Sequence, residues 1–223
     1  MTWFSALQVN PRRREARRYM SDPQSLHAAV LNAFPPQSQP SQEGRALWRL
    51  DASEHDQVLY IVSPEKPDLS ALHEGTGWEQ ALPRFTEYDP FLSRLRKGQQ
   101  WGFRLRANPV KSIPREGRRG KVVPHVTPDQ QLAWLTDRSG RHGFSVGSVT
   151  DPSSLTAEVT GRTDQRFGRR SPDSARRTTV TLRQAQFDGS LVIEDADAFR
   201  ATLVDGIGRG KAYGCGLLTL KRI

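Results

Sequence analysis

The sequence predicts an α+β protein made of two tandem ferredoxin-like units, each a βαββαβ arrangement. Three observations lead there. Residues 1–106 alternate between strand-period and helix-period apolar patterns in the order β-α-β-β-α-β. The second half repeats that order without repeating the sequence. Between them, Pro, Gly, Lys and Arg crowd into residues 109–120, which reads as a linker joining an N-terminal unit, 1–108, to a C-terminal unit, 121–223. A chain of 223 residues is long enough to give each unit its own core.

Met1 to Val9 reads as the first strand. Asp22 then caps a helix whose first position is Pro23, and Leu26, Ala29, Val30, Ala33 and Phe34 form its apolar stripe. Pro35 and Pro36 end it in a polar Pro/Gln/Ser loop over 35–44. Residues 46–51 and 57–63 read as a hairpin, a weak helix follows over 68–82, and Gln100 to Arg106 closes the unit. In that last strand Trp101, Phe103 and Leu105 face one way and Arg104 and Arg106 the other. In the second unit Lys121 to Val123 is a candidate strand, and Thr127 with Gln130 forms a capping box before Trp134 and Leu135. Strands near 143–149 and 155–160 follow. Asp188-Gly189, between 178–187 and 190–193, predicts a two-residue hairpin turn. Asp195 caps a helix carrying Phe199, Leu203 and Val204, and Leu217 to Leu220 forms the final strand.

Charge narrows the function. Lys and Arg number 33 against 24 acids, a net charge of +9 at a pI near 10.3. That excess points to a polyanionic partner, and its bias toward Arg favours phosphates and bases. No apolar run approaches the ~18 residues of a membrane helix. No targeting signal is visible at the N-terminus, so a cytoplasmic location without a membrane partner is expected. Cys215 is the only cysteine, which excludes disulfides and thiolate zinc sites within the chain. Between Gly206 and Leu217 stand five glycines with Arg209 and Lys211 among them. Bare backbone N–H groups beside cations suit phosphate; a helix C-cap followed by turns is the alternative. A P-loop is excluded because Ala212 follows Lys211, and a dinucleotide fingerprint because a helix precedes the glycines.

Five blocks in order then resemble the CasE family, the CRISPR RNA-processing endoribonucleases of type I-E Cascade. They are Leu7 to Pro11 with Arg14 to Arg18; Asp22-Pro23, Leu26-His27 and Ala33 to Pro35; Leu47 to Leu50; Phe103 to Pro109 with Lys111; and Gly206 to Leu218. The resemblance implies cleavage of stem-loop repeats in a precursor transcript. The 2′-OH attacks the adjacent phosphorus without metal ion or cofactor, leaving a 2′,3′-cyclic phosphate, and the enzyme stays on the hairpin as a Cascade subunit. Partners so implied are the repeat RNA and other Cascade subunits.

On that resemblance His27 falls on the family's catalytic histidine, a type able to exchange a proton at neutral pH. By position alone it is a helix-face histidine beside an apolar stripe. Many members of that family carry Tyr where this chain has Gln24, and some carry Lys where it has Asn32. Tyr19 and Tyr213 are the other candidate helpers. RNA-binding candidates are Arg104, Arg106, Lys111, Arg162, Arg166, Arg169, Arg170, Arg176 and Arg177, with Gly208, Arg209, Gly210, Lys211 and Gly214 of the glycine run. The cations Arg12 to Arg18 suit a protein partner or the RNA backbone. His55, His73, His125 and His142 read as solvated or structural. Glu194, Asp195 and Asp197 read as helix capping in preference to a metal cluster. A hairpin-binding assembly module that does not cut, and a general double-stranded-RNA or membrane-surface protein, are the competing classes.

Overall fold

A computed structural model of the protein describes residues 1–35, 46–53, 56–147, 154–171 and 174–223. The expected polar loop over 35–44 lies almost wholly outside the described residues. Two compact units result. The first is Met1–Arg94 together with Lys211–Leu217, and the second is Leu95–Gly210 together with Leu218–Ile223. The boundary therefore falls before the strand expected to close the first unit, and the chain returns to that unit near its end.

In the first unit the elements are β1 (Trp3–Gln8), α1 (Arg14–Ser21), α2 (Pro23–Leu31), β2 (Leu47–Ala52), β3 (Gln57–Ser63), α3 (Ser70–Thr76), β4 (Arg84–Glu87) and α4 (Asp89–Leu92). The strands pair antiparallel in the order β2-β3-β1-β4, the ferredoxin-like order. The Asp22 carboxylate accepts from the Gln24 amide at 3.0 Å and starts α2, with Pro23 supplying no orphaned N–H. Leu26 and Val30 then reach a core with Leu7, Trp48, Leu59 and Ile61 from the sheet. The fourth strand is β4, not Gln100 to Arg106. It is short, lies at the sheet edge and half-buries only Phe85, so it carries little period-2 signal. Helix α1 is invisible to the sequence pattern for a similar reason. It buries Ala16 and leans Tyr19 on the core, while its other positions are mostly charged.

The second unit contains β5 (Gln100–Ala107), β6 (Val110–Arg115), β7 (Arg118–Pro124), α5 (Pro128–Ser139), β8 (Phe144–Ser145), β9 (Ala157–Ser171), β10 (Ser174–Ile193), α6 (Ala196–Asp205) and β11 (Leu218–Lys221). Its sheet runs β11-β5-β10-β8 with β9 also on β10, the same order with the second strand split in two. Residues 109–120 are thus no linker but most of the β6–β7 hairpin, turning at Gly117 with φ +62°. Lys121 to Val123 belongs to that hairpin and not to the main sheet. Phe103, Leu105, Trp134, Phe144, Phe187 and Phe199 are fully buried here, with Trp134 stacked on Phe187 at 6.3 Å. Asp195 caps α6 by accepting from the amides of Asp197 and Ala198, and Thr127 caps α5 through the Gln130 amide. No helix among the described residues is long and apolar enough to cross a membrane.

Asp188-Gly189 is not a turn: β10 runs straight through it. Glycine is needed because a Cβ at 189 would lie 2.1 Å from the Thr156 carbonyl oxygen of the neighbouring chain segment. Asp188 is the polar hub of the sheet's open face, accepting from Arg104 Nε at 2.6 Å, from Gln186 Nε2 at 2.9 Å and from the Thr160 hydroxyl. Burial pushes its pKa up, but these donors together outweigh burial and hold it below the usual carboxylate value. A depressed folded pKa stabilises the fold above the unfolded value and loses that contribution as pH falls through the folded one. Asp188→Ala should therefore cost on the order of 1 kcal/mol near pH 6. The gap from wild type should narrow progressively as the pH falls below the ordinary carboxylate value of about 4, as read by urea denaturation across the acid range.

Candidate functional site

Helix α2 places His27 half-buried, with Gln24 one turn earlier on the same side. The Gln24 carbonyl Oε1 is buried without a hydrogen-bond partner among the described residues. Across from them lies the returning segment. Its single 3-10 turn, Lys211–Tyr213, sits against both α2 and β2. The ring of Tyr213 comes within 6.5 Å of the His27 ring, centroid to centroid, tilted by 58°. Of the two tyrosines, then, Tyr213 is brought to His27. Tyr19 is packed on the core, and its phenol is pushed up by burial and then by Glu15, against a smaller opposing effect of Arg18. Asn32 is the C-cap of α2, its amide bonded back to the Ala28 carbonyl.

The returning segment wraps β2, the edge strand of its sheet. Alternation turns Trp48 to the helix side and Arg49 to the opposite face. A Cβ on Gly214 would lie 2.7 Å from the Trp48 ring. Arg49, 1% exposed, donates through Nη1 to the Leu217 carbonyl at 2.8 Å and forks onto Asp51 at 2.6 and 2.9 Å. Its guanidinium also lies 5.7 Å from the Tyr60 ring centre. Gly206, Gly208, Gly210, Gly214 and Gly216 all have φ between +74° and +93°. Gly206 is the C-cap of α6. Gly208 is backed by Trp134, 3.0 Å from where its Cβ would stand. The run's own fold thus demands glycine at each of these positions, and the phosphate reading for Gly208 and Gly214 is not what requires them. The exposed side chain of Arg209 stands on backbone bridged to Asn108.

In the second unit the expected cations divide. Arg104 is paired with Asp188 and keeps 41% of its side chain exposed; Arg106 Nη2 lies 3.4 Å from Gln186 Oε1. Lys111 is exposed on β6 and Arg166 on β9. Arg162 donates to the Val126 carbonyl. Arg169, Arg170, Arg176 and Arg177 gather toward the tip of the β9–β10 hairpin, where Arg177 is in register with Arg170; their side chains lie outside the described residues. Sequence reasoning overlooked the β6–β7 hairpin, a second ribbon rich in Lys and Arg: neither arm alternates cleanly, and Glu116-Gly117 is its local turn signal.

Several of the remaining residues are tied into the fold. His73 Nε2 lies 3.0 Å from the Trp78 carbonyl and His142 Nδ1 2.9 Å from the Thr202 hydroxyl. Burial, then Lys111 and Arg138, hold the His125 imidazole below its ordinary pKa. His55 lies outside the described residues. Glu194 accepts from Ser145 and Asp197 pairs with Arg200. At the N-cap of α1, Arg13 is tied to the Glu74 carbonyl at 2.6 Å and to Glu79 at 3.6 Å.

Comparison with known proteins adds to this geometry. A family model described as CRISPR associated protein matches residues 2–222. The chain is 32% identical over 222 residues to the CRISPR-associated endoribonuclease Cse3 of Thermus thermophilus, covering 98% of this chain and 99% of that one. It is also 32% identical over 215 residues to the CRISPR system Cascade subunit CasE of Escherichia coli, covering 92% and 94% respectively. The solved structure of Thermus thermophilus Cse3 bound to an RNA representing a pre-cleavage complex matches with a TM-score of 0.77 at 30% identity, over 99% of this chain and 98% of that one.

Gly214→Val would place a branched side chain at φ +75° and against Trp48. It should cost about 2–4 kcal/mol, lowering the melting temperature of the RNA-free protein by roughly 5–15 °C. An unchanged thermal melt without RNA would mean that the glycine serves a ligand and not the fold.

Proposed function

The chain belongs to the CasE family of CRISPR-associated proteins, and on that footing we propose that it is an endoribonuclease. It cuts the stem-loop repeats of a CRISPR transcript and stays on the hairpin product as a Cascade subunit, in the cytoplasm. The observation that carries the reading is His27: a half-exposed imidazole on a well-capped helix, facing the Tyr213 ring of a turn of the glycine run that also carries Lys211.

The chemistry needs little else. The ribose 2′-oxygen attacks the adjacent phosphorus as its proton departs. The bond from phosphorus to the 5′ oxygen breaks, and that oxygen takes up a proton. The products are a 2′,3′-cyclic phosphate and a 5′-OH, so protons balance and no oxidant or metal ion is required. His27 moves one of those protons. The RNA stem is gripped by the cations of the second unit, among them Arg104, Arg106, Lys111, Arg166 and the cluster Arg169, Arg170, Arg176 and Arg177. Recognition rests on the shape of the A-form stem and on its ends. One observation favours a second reading, a hairpin-holding module that cuts slowly or not at all. Gln24, at a position where the family resemblance leads one to expect Tyr in many members, has no phenolic proton to give.

His27→Ala should fold and bind the hairpin while cleavage falls by about 10²–10⁴-fold. EDTA should leave the wild-type rate unchanged, and a 2′-deoxy nucleotide at the cleavage position should block cutting without loosening the complex. Cutting of the deoxy substrate sinks the 2′-OH mechanism, and tight binding of the repeat by wild type with no cutting selects the second reading.

Hairpin affinity should fall on the order of 10²–10⁵-fold between about 50 and 200 mM salt. Arg169→Ala with Arg170→Ala should weaken binding and flatten that slope. A slope equal to wild type removes the β9–β10 tip from the interface.

A further inference from the structure

We propose that Tyr213 is a positioning residue for His27: its ring is the wall against which the imidazole is set for proton transfer. This rests on the reading of His27 as the proton-transfer residue. The observation is the ring pair itself, 6.5 Å between centroids and tilted by 58°, formed by residues from opposite ends of the chain. Tilted aromatic pairs at that separation are attractive and favour particular ring orientations over others. An imidazole on a helix surface has several staggered side-chain states, and only one of them points a ring nitrogen at a given substrate atom. Misplacing a reacting group by about 1 Å can cost roughly a hundredfold in rate. A wall that selects one state is therefore worth having.

Tyr213 is itself held firmly. Gly210 at φ +87° and Gly214 at φ +75° bracket the 3-10 turn that carries it, and Gly214 is pressed on Trp48. A little further on, the Leu217 carbonyl is fastened to the buried Arg49 guanidinium. Gln24, the other neighbour on the His27 side of α2, has a flexible amide side chain and no ring face to offer. The turn thus supplies from the end of the chain what α2 does not supply from its own first turn.

The test is single-turnover cleavage, together with equilibrium binding, of a stem-loop RNA carrying the repeat of the protein's own CRISPR array. Tyr213→Phe keeps the ring and should cleave within about threefold of wild type. Tyr213→Leu and Tyr213→Met remove it. Each should lose about 10- to 100-fold in cleavage rate with hairpin affinity within about threefold of wild type. In a His27→Ala background the same Tyr213 substitutions should cost nothing further, because the ring acts only through the imidazole. Wild-type cleavage by both the Leu and Met variants overturns the proposal. So does a Phe variant as slow as the Leu variant, which would assign the role to the hydroxyl. An additive loss in the double variant also overturns it. Normal cleavage by His27→Ala alone would instead sink the underlying reading, so the two failures are told apart. Thermal melts on each variant identify any that has not folded, and the remaining ring-deleting variant then decides.

Discussion

Arg49 is a charge that ought not to be where it is. Moving a guanidinium out of water costs several kcal/mol unless its donors are met. Here they are met by a forked pair with Asp51, by the Leu217 carbonyl and by the face of Tyr60. Asp51 lies on the same strand and Tyr60 on the next one. The Leu217 carbonyl belongs to a segment that arrives from the far end of the chain, and it is the partner that matters for the site. Without a buried donor on the outer face of β2, the returning backbone would rest on the inner side alone, against Trp48 and α2. Held on both faces, residues 211–217 lie along β2, the edge strand of the sheet. The Lys211–Tyr213 turn is thereby set against α2.

The glycine run follows from the same constraint. A chain that caps α6, leaves one compact unit, wraps an edge strand of the other and returns to pair as β11 must reverse direction repeatedly within a few residues. Five left-handed positions accomplish that, and glycine adopts them without the penalty that side chains meet. Two of the glycines also lie under tryptophans, Gly208 under Trp134 and Gly214 under Trp48. Composition alone suggests a surface bared for phosphate. The structure shows a folded device whose geometry is set by packing, with the Arg209 side chain left exposed on it.

This explains what was legible in the sequence and what was not. Caps were legible, because Asp22, Thr127 and Asp195 act on amides two or three residues away. The fold class was legible as an order of periods. Assignments failed where a strand carried little apolar alternation, as in β4, or where a helix packed on only Ala16 and Tyr19, as in α1. Missing β4 pushed Gln100 to Arg106 into the wrong unit and turned the β6–β7 hairpin into a linker. Asp188-Gly189 misled because its glycine answers a neighbouring carbonyl and its aspartate answers Arg104, long-range facts that a dipeptide cannot announce. The pairing of His27 with Tyr213 was legible only as one of two tyrosine candidates that the family resemblance offered. Nothing near either residue encodes it; it depends on how the chain end is threaded.

Gln24 brings these strands of reasoning together. On a helix the residue one turn before a histidine is its natural partner, since the two side chains lie on one face. Filling that place with an amide removes the nearest source of an aromatic ring or a phenolic proton. A different ring then becomes available from the far end of the chain, at a turn whose backbone has little freedom. A substitution inside a helix can be offset only by a group with fixed position, because a mobile one would lose in orientation what it restored in chemistry. The segment held by Arg49, Trp48 and its own glycines is the part of this unit that meets that condition beside His27. What a one-residue reading of α2 treats as a lost helper becomes, at the level of the fold, a reason to look at the wrapped turn.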